Sequence, residues 1–235
     1  MAFGKLYLIP TPLGNYDPTN VLPETVFQVI KDLNVFVVEE LRTARRFLSS
    51  AGKKGHIEEL EFHELNEHTK VEEVENYSAL FENGQNVGLI TEAGLPAVAD
   101  PGSALVDLCH RKGIEVVPLV GPSSLMMALM SSGLNGQSFA FCGYLPAKTD
   151  ERRKAIKNIE KRSENEKQTQ IFIETPYRND TMLSDLLAIC KPSTKLCIAA
   201  NITLDDAFIR TKTIAQWKKA VPVIGKRPCV FIILA

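Results

Sequence analysis

The sequence predicts an α/β fold with two α/β domains. The N-terminal domain, residues 1–119, should hold a mostly parallel, doubly wound sheet, and the C-terminal domain, residues 120–235, a mixed sheet with helices. Short apolar runs alternate with segments of helical periodicity through the first half, which is the pattern of β-α-β units. The apolar runs are continuous rather than alternating with polar residues, as expected for strands covered on both faces.

The length, composition and net charge of the chain limit the classes of function. The chain has 235 residues, 45% of them hydrophobic, and a formal net charge of −1. Its overall charge does not favour nucleic acid, so any such contact needs a local basic patch. Five scattered cysteines without C-x-x-C spacing favour free thiols over disulfides or a zinc site. With no signal peptide or membrane span in the pattern, we expect a cytoplasmic protein without membrane contact.

The first half alternates strands and helices. The predicted strands are short apolar runs: Leu6–Ile9, Val35–Val38, a weaker run at Ile57–Leu60, Val87–Ile90 and Ile114–Leu119. The predicted helices have apolar residues at helical spacing and cover about 22–30, 42–48, 71–81 and 101–112.

The second half begins at a Gly-Pro-Ser-Ser junction, residues 121–124. A methionine-rich helix follows to about 132, and such methionines usually fill the core. A strongly charged segment, 150–167, predicts a solvated outer helix, and another helix follows Arg178. The predicted strands are Phe139–Cys142, Gln170–Ile173, Leu196–Ala199, Ala207–Thr211 and Cys229–Leu234, with a hairpin turn at Asp205-Asp206.

The segment 86–103 is the most informative stretch. It leaves the strand Val87–Ile90 and then carries two glycines and two prolines within nine residues, so it cannot be regular throughout. Its centre, residues 95–98, is nevertheless apolar. A fixed apolar loop at the carboxyl end of a strand is where open α/β sheets bind ligands, although a packed strand-to-helix connection has the same pattern.

Several common sites are absent from the sequence. It has no G-x-G-x-x-G after the first strand, no P-loop and no G-x-S-x-G elbow. His63 and His68 are five residues apart, which does not place them on one helical face, so we expect no metal. What remains is a set of Gly/Pro loops at strand ends with polar residues beside them.

Taken in order, these loops resemble the motifs of the tetrapyrrole methylase superfamily, the class III S-adenosylmethionine-dependent methyltransferases. The most similar branch is the bacterial methyltransferases of a cytidine 2′-hydroxyl in small-subunit ribosomal RNA. The matching segments span nearly the whole chain: Leu6–Asn15, Glu39–Thr43, His63–Glu67, Thr91–Gly102, Val116–Gly121, Gly143–Pro146 and, more loosely, Glu174–Arg178. The chain departs from the family at Leu41, Glu92, Leu95 and Ala200-Asn201.

The resemblance implies a cleft between the domains that holds S-adenosylmethionine, with S-adenosylhomocysteine as product, and a homodimer. It implies ribosomal RNA or the small ribosomal subunit as substrate. By matching position, the donor should contact Leu13, Gly14, Gly94, Leu95, Pro96, Ala97, Val98, Gly121, Ser123 and Ser124, with its adenine end near Glu174 and Ala200.

Methylation of a ribose hydroxyl gains from a nearby base. Our hypothesis is that Glu67 or Glu92 takes the proton, while Asn66 and Arg42 orient the acceptor. The predicted RNA contacts fall in two groups, Arg42, Arg45, Arg46, Lys53 and Lys54, or Arg152, Arg153, Lys154 and Lys157. Two alternatives stay open: a methyltransferase acting on a tetrapyrrole or another small molecule, and a non-catalytic protein that binds S-adenosylmethionine.

Overall fold

The structure, a computed structural model, describes residues 3–235; residues 1 and 2, the start of the predicted first domain, lie outside the described residues. The chain forms two compact units, with the first ending at Ser123 and the second beginning at Ser124. The strands are β1 (Lys5–Ile9), β2 (Val35–Val38), β3 (Glu61–Glu64), β4 (Val87–Ile90), β5 (Glu115–Pro118), β6 (Phe139–Tyr144), β7 (Thr169–Glu174), β8 (Lys195–Ala200), β9 (Phe208–Thr213) and β10 (Cys229–Leu234). The α-helices are α1 (Glu24–Asp32), α2 (Leu41–Leu48), α3 (Val71–Asn76), α4 (Gly102–Lys112), α5 (Ser124–Ser132), α6 (Thr149–Glu166), α7 (Asn179–Ile189) and α8 (Ile214–Trp217).

The first unit is a five-stranded sheet in the order β3-β2-β4-β1-β5, and every pair in it is parallel. Apolar residues of α1 and α2 pack on one face, and those of α3 and α4 pack on the other. The continuous apolar strands are therefore explained, because both faces of β2 and β4 are buried. The predicted parallel, doubly wound sheet is confirmed. The carboxyl ends of all five strands therefore lie on the same side of the sheet.

The third strand is an error in the sequence prediction. Ile57–Glu59 forms a turn of 3₁₀ helix, and the strand is Glu61–Glu64. Because β3 is an edge strand, two of its four residues are exposed, and a search for continuous apolar runs misses it.

The second unit is a mixed sheet in the order β6-β7-β10-β8-β9, with only the β6–β7 pair parallel. Helices α6, α7 and α8 pack on one face of this sheet, and α5 packs against β8, β9 and β10 on the other. The methionines of α5 do not all fill the core as predicted, since Met126 and Met130 are exposed.

Helix α6 is less solvated than its charge suggests. Arg152, Ile156, Glu160 and Ser163 form a buried stripe along it. Arg152 donates through Nε to Asp185 Oδ2 at 2.7 Å, and both side chains are almost completely buried. The prediction that Arg152 contacts RNA is therefore wrong. A buried guanidinium needs such a partner, since an unpaired charge in the interior is strongly destabilising.

The cysteines are free thiols. Cys109 lies in the core of the first unit, and Cys190, Cys197 and Cys229 lie buried in the second, where Cys142 is half-buried. Burial raises the pKa of Cys109 and of Cys229 to about 12. None of the helices within residues 3–235 is long and apolar enough to cross a membrane.

Candidate active site

The site is built at the carboxyl edge of the first sheet. The strand ends Ile9 and Val38 are both paired with Ile90, so the segments that follow β1, β2 and β4 emerge side by side. Thr11 Oγ1 donates to the Thr91 carbonyl at 3.4 Å, and Thr91 Oγ1 donates to Glu39 Oε2 at 3.0 Å. Residues from three strand ends are thereby joined in one hydrogen-bonded chain.

Backbone contacts fix the loops against each other. Thr11 and Gly94 exchange two N–H···O bonds, of 2.9 and 3.2 Å, in an antiparallel bridge. Gly121 lies so close to Pro10 that a Cβ at residue 121 would fall 2.2 Å from the proline ring. Only glycine fits there. The loops after β1, β4 and β5 therefore form one continuous floor.

The loop between β4 and α4 is held by Asp100. Its carboxylate accepts from Ala97 N at 2.9 Å and from Gly102 N at 2.7 Å. The bonds close a tight turn in which Ala97 and Ala99 both have φ near +60°. Alanine in this left-handed region is strained, so the loop holds a costly conformation that its contacts enforce. Asp100 thus supports the loop conformation.

The floor presents apolar side chains to its surroundings. Val98 is 45% exposed and Val120 is 75% exposed. Leu13 lies beside Gly94, where it would be 3.2 Å from an added Cβ. Exposed apolar groups on a rigid backbone suit the adenine ring and the aliphatic chain of S-adenosylmethionine, so the predicted residues Leu13 and 94–98 fit that group.

A depression of about 230 Å³ adjoins this floor within the first unit. It is lined by Thr11, Pro12, Leu13, Gly14, Asn15, Tyr16, Pro18, Thr43, Ala44, Arg46, Phe47, Ser50, Ile90, Thr91, Glu92 and Ala93. A carboxylate, Glu92, and a guanidinium, Arg46, are therefore available to one ligand. Tyr16, Thr43, Phe47 and Ser50 were missed as site residues. The spacing of Thr43, Phe47 and Ser50 along a helix was the signal available for three of them.

Glu92 has a perturbed acidity. Its partial burial raises the pKa of the carboxyl, and the nearby carboxylates of Glu39 and Glu40 raise it further. The backbone N–H of Glu92 donates to Glu39 Oε2 at 3.3 Å, which holds the two acidic residues together. A carboxylate of raised pKa in a depression has the properties of a general base.

The other predicted catalytic residues are separated from Glu92. Asn66 and Glu67 follow β3 and line a different depression. Asn66 Oδ1 accepts from His68 N at 3.0 Å, and the Glu67 side chain is 85% exposed. Arg42 is exposed at the start of α2, where Glu40 caps the helix by accepting from Arg42 N and Thr43 N.

The remaining predicted donor contacts lie at the junction and in the second unit. Ser123 ends the first unit and Ser124 begins α5. Glu174 and Ala200 both pair with Cys229, so they lie on either side of β10 at one sheet edge. The Glu174 side chain is fully buried and accepts from Arg178 Nε at 2.9 Å. A ligand there would meet backbone groups, since neither side chain is accessible.

The cations of the first predicted RNA group differ in availability. Arg42, Arg45, Arg46 and Lys54 are exposed. Lys53 is buried, its Nζ donates to the Lys31 carbonyl at 2.8 Å, and burial lowers its pKa. The prediction that Lys53 contacts RNA is wrong. Across the described part of the chain, no cluster of His, Cys, Asp and Glu is arranged to hold a metal ion.

Comparison with known proteins identifies the family of the chain. The family model of the tetrapyrrole (corrin/porphyrin) methylases matches residues 5–217. The chain is 33% identical over 200 residues to ribosomal RNA small subunit methyltransferase I of Escherichia coli O157:H7, covering 85% of this chain and 66% of the relative. It is 31% identical to the Thermotoga maritima protein of the same name, covering 94% and 95%.

Solved structures share the fold. The methyltransferase CobJ aligns with a TM-score of 0.62 at 16% identity, over 98% of this chain and 94% of that one. Uroporphyrin-III C-methyltransferase from Thermus thermophilus, in complex with S-adenosylhomocysteine, aligns with a TM-score of 0.56 at 16% identity, over 98% and 97%. The family match and the shared fold lead to one conclusion: the chain belongs to the tetrapyrrole methylases, a family of S-adenosylmethionine-dependent methyltransferases.

Proposed function

We propose that this protein methylates a ribose 2′-hydroxyl, that of a cytidine, in small-subunit ribosomal RNA. The observation that carries the proposal is the position of Glu92, beside the loop floor and within the same depression as Arg46. A ribose–phosphate acceptor needs a base for its hydroxyl and a cation for its phosphate, and this depression offers both. The relatives named as ribosomal RNA methyltransferases support the same substrate. A ribosomal substrate would also place the protein in the cytoplasm.

The residues have separate roles in this proposal. S-adenosylmethionine, when bound, supplies an electrophilic methyl group on a sulfonium, and sulfur keeps the electron pair of the broken S–C bond. Within the first unit, the floor formed by Leu13, Gly14, Gly121 and residues 94–98 binds the donor. Glu92 accepts the hydroxyl proton as the oxygen forms its bond to the methyl carbon. Rigid positioning contributes much of the rate, on the order of 7–11 kcal/mol for well-oriented reactants.

Glu67 is the second candidate for the base, with Asn66 and Arg42 orienting the acceptor. The raised pKa of Glu92 favours Glu92, because a stronger base takes a hydroxyl proton more readily.

We also propose a homodimer through the open face of the second sheet. Phe139 and Phe141 pair with Thr169 and Ile171, so they lie on the face that carries α5, and both are exposed. Met130 of α5 is 82% exposed. An exposed set of large apolar side chains is typical of an interface between subunits.

The test is transfer from radiolabelled S-adenosylmethionine to three acceptors: isolated small ribosomal subunits, free small-subunit RNA and uroporphyrinogen. We expect label in RNA, at a nucleotide whose 3′ linkage resists alkaline hydrolysis, because a methylated 2′-oxygen cannot attack the phosphate. Label only in the tetrapyrrole would overturn the proposal. Calorimetric binding of S-adenosylhomocysteine without transfer to any acceptor would favour the non-catalytic alternative.

A further inference from the structure

The last part of the chain has an unusual charge. Residues 207–235 contain no Asp or Glu, whereas the whole chain has a net charge of −1. The cations in this segment are Arg210, Lys212, Lys218, Lys219, Lys226 and Arg227. A one-signed run inside a nearly neutral protein creates a local positive potential.

Four of these residues form a compact surface in the second unit. The Arg210 and Arg227 guanidinium carbons lie 5.7 and 5.8 Å from the centre of the Phe208 ring. Lys212 Nζ lies 4.8 Å from the Trp217 ring, which is itself 6.3 Å from Phe208. Lys226 is the exposed neighbour of Arg227. We call the surface of Arg210, Lys212, Lys226 and Arg227 the basic face.

The protein holds these cations in place without neutralising them. Arg227 donates to the carbonyls of Ile224 at 2.8 Å and Val223 at 2.9 Å, and no ion pair found within residues 3–235 includes any of the four. Of the acids near these cations, Asp206 accepts from the Asn201 side chain, and Asp180 accepts from the backbone N–H groups of Ile224 and Gly225. Their grouping without an ion-pair partner among the described residues creates a local positive potential, which indicates an anionic partner outside the chain.

The edge position of β9 explains only part of this surface. Strand β9 is an edge strand, and cations on edge strands prevent pairing with other chains. That accounts for Arg210 and Lys212. It leaves Lys226 unexplained, because Lys226 lies on the loop before β10, whereas Arg227 on the same loop is held by its bonds to the carbonyls of Val223 and Ile224.

We infer that the basic face binds the phosphate backbone of the RNA substrate, an inference that rests on the proposed function. Cations held over aromatic rings, as Arg210, Lys212 and Arg227 are, remain positively charged and available to phosphate oxygens. Contacts of this kind hold the RNA without reading its sequence. The second unit thereby supplies affinity for the substrate, while the depression in the first unit supplies the chemistry.

The experiment compares two triple variants that remove the same charge. Arg210→Gln/Lys212→Gln/Lys226→Gln changes the basic face and leaves the more enclosed Arg227 intact. Lys31→Gln/Lys70→Gln/Lys161→Gln is the matched control, because these three lysines are exposed and scattered over both units. Fluorescence anisotropy with a labelled fragment of small-subunit RNA measures affinity between 50 and 200 mM salt, and thermal unfolding checks that both variants fold.

We expect the basic-face variant to bind RNA about tenfold more weakly, with its log–log salt slope reduced by about 2 for single-stranded contacts. S-adenosylhomocysteine affinity and kcat at saturating RNA should not change, and Arg210→Lys should retain most of the RNA affinity. Equal losses in the two triple variants, or no RNA binding by the wild-type protein, would overturn the inference.

These outcomes separate the two proposals. Normal RNA methylation by the basic-face variant, with an unchanged KM, refutes the basic face and leaves the proposed function standing. RNA binding that depends on the basic face, in a protein that methylates no RNA, refutes the proposed function and leaves the basic face standing.

Discussion

Glu92 is the residue whose chemistry depends most on its neighbours. It lies immediately after β4, and the parallel sheet brings Glu39 next to it from the end of β2. Neither position is unusual in the sequence, since acids commonly follow strands. Only the pairing of β2 with β4 explains why one carboxylate raises the pKa of the other, and sequence spacing does not contain that information.

The acidity of Glu92 leads to a prediction about pH. If Glu92 is the base, activity should rise with pH as the carboxyl ionises, at a pH above its ordinary value of 4.5. Glu39→Gln removes a neighbouring negative charge and should lower the pKa of Glu92. The rise of activity with pH, which is the acid limb of the pH–rate profile, should therefore move to lower pH. The rate of methyl transfer at saturating RNA, measured from pH 5 to 8, checks the shift.

The companion variants decide between the two candidate bases. Glu92→Gln should reduce kcat by about 10²–10⁴-fold, and Glu67→Gln should leave both kcat and the acid limb unchanged.

The raised pKa of Glu92 also affects stability. Glu92 stabilises the fold at pH values below its pKa in the unfolded chain, and it loses this contribution as the pH rises through its pKa in the folded protein. Glu92→Gln should therefore not lower Tm at neutral pH. A large loss of kcat in Glu67→Gln alone would assign the base to Glu67.

At the scale of single elements, the loop from Gly94 to Gly102 combines strain with rigidity. Its apolar centre and its glycines and prolines were visible in the sequence, and they correctly indicated an irregular, fixed loop. The left-handed conformation of Ala97 and Ala99 was not visible, because alanine carries no signal for positive φ. The bridge between Thr11 and Gly94 was hidden as well, since any residue type can make backbone hydrogen bonds.

The strain leads to a stability prediction. Ala99 is exposed with φ +61°, so Ala99→Gly should relieve backbone strain without losing a buried contact and raise the free energy of unfolding by about 0.5–1 kcal/mol. Ala104→Gly, on the exposed side of α4, is the control and should lower it by about 1 kcal/mol. Urea denaturation measures both. Destabilisation by Ala99→Gly would show that the turn is not strained.

The elements that were mispredicted share a cause. Strand β3 is polar because it lies at an edge, and α6 hides Arg152 and Glu160 because Asp185, Thr194 and Lys191 supply their partners from distant segments. The local pattern of apolar and polar residues indicates which secondary structure a segment favours. Whether a strand lies at the edge of a sheet, or a charged side chain is buried in an ion pair, depends instead on the distant segments that pack against it.

For the whole molecule, the open apolar face predicts the oligomeric state. Phe139→Ser/Phe141→Ser should convert a dimer into a monomer in sedimentation experiments, because it removes two large apolar side chains from the proposed interface. Val223→Glu is the control, as Val223 is 80% exposed on the loop before β10. A wild-type protein that sediments as a monomer at micromolar concentration would contradict the proposed dimer.

Charge distribution also belongs to this scale. The net charge of −1 predicts no binding through overall charge, but an average over 235 residues conceals the basic face. The absence of acids after Asp206 was readable from the sequence, and it becomes meaningful only once β9 and the loop before β10 bring the cations together.

The buried cysteines can serve as internal probes of local unfolding. Thiols react as thiolates, so a buried thiol with a pKa near 12 is almost inert until the fold around it opens. Cys109 reports on the first unit, and Cys190, Cys197 and Cys229 report on the second. Pulse alkylation followed by mass spectrometry therefore distinguishes units that open independently from units that open together, without introducing a single label.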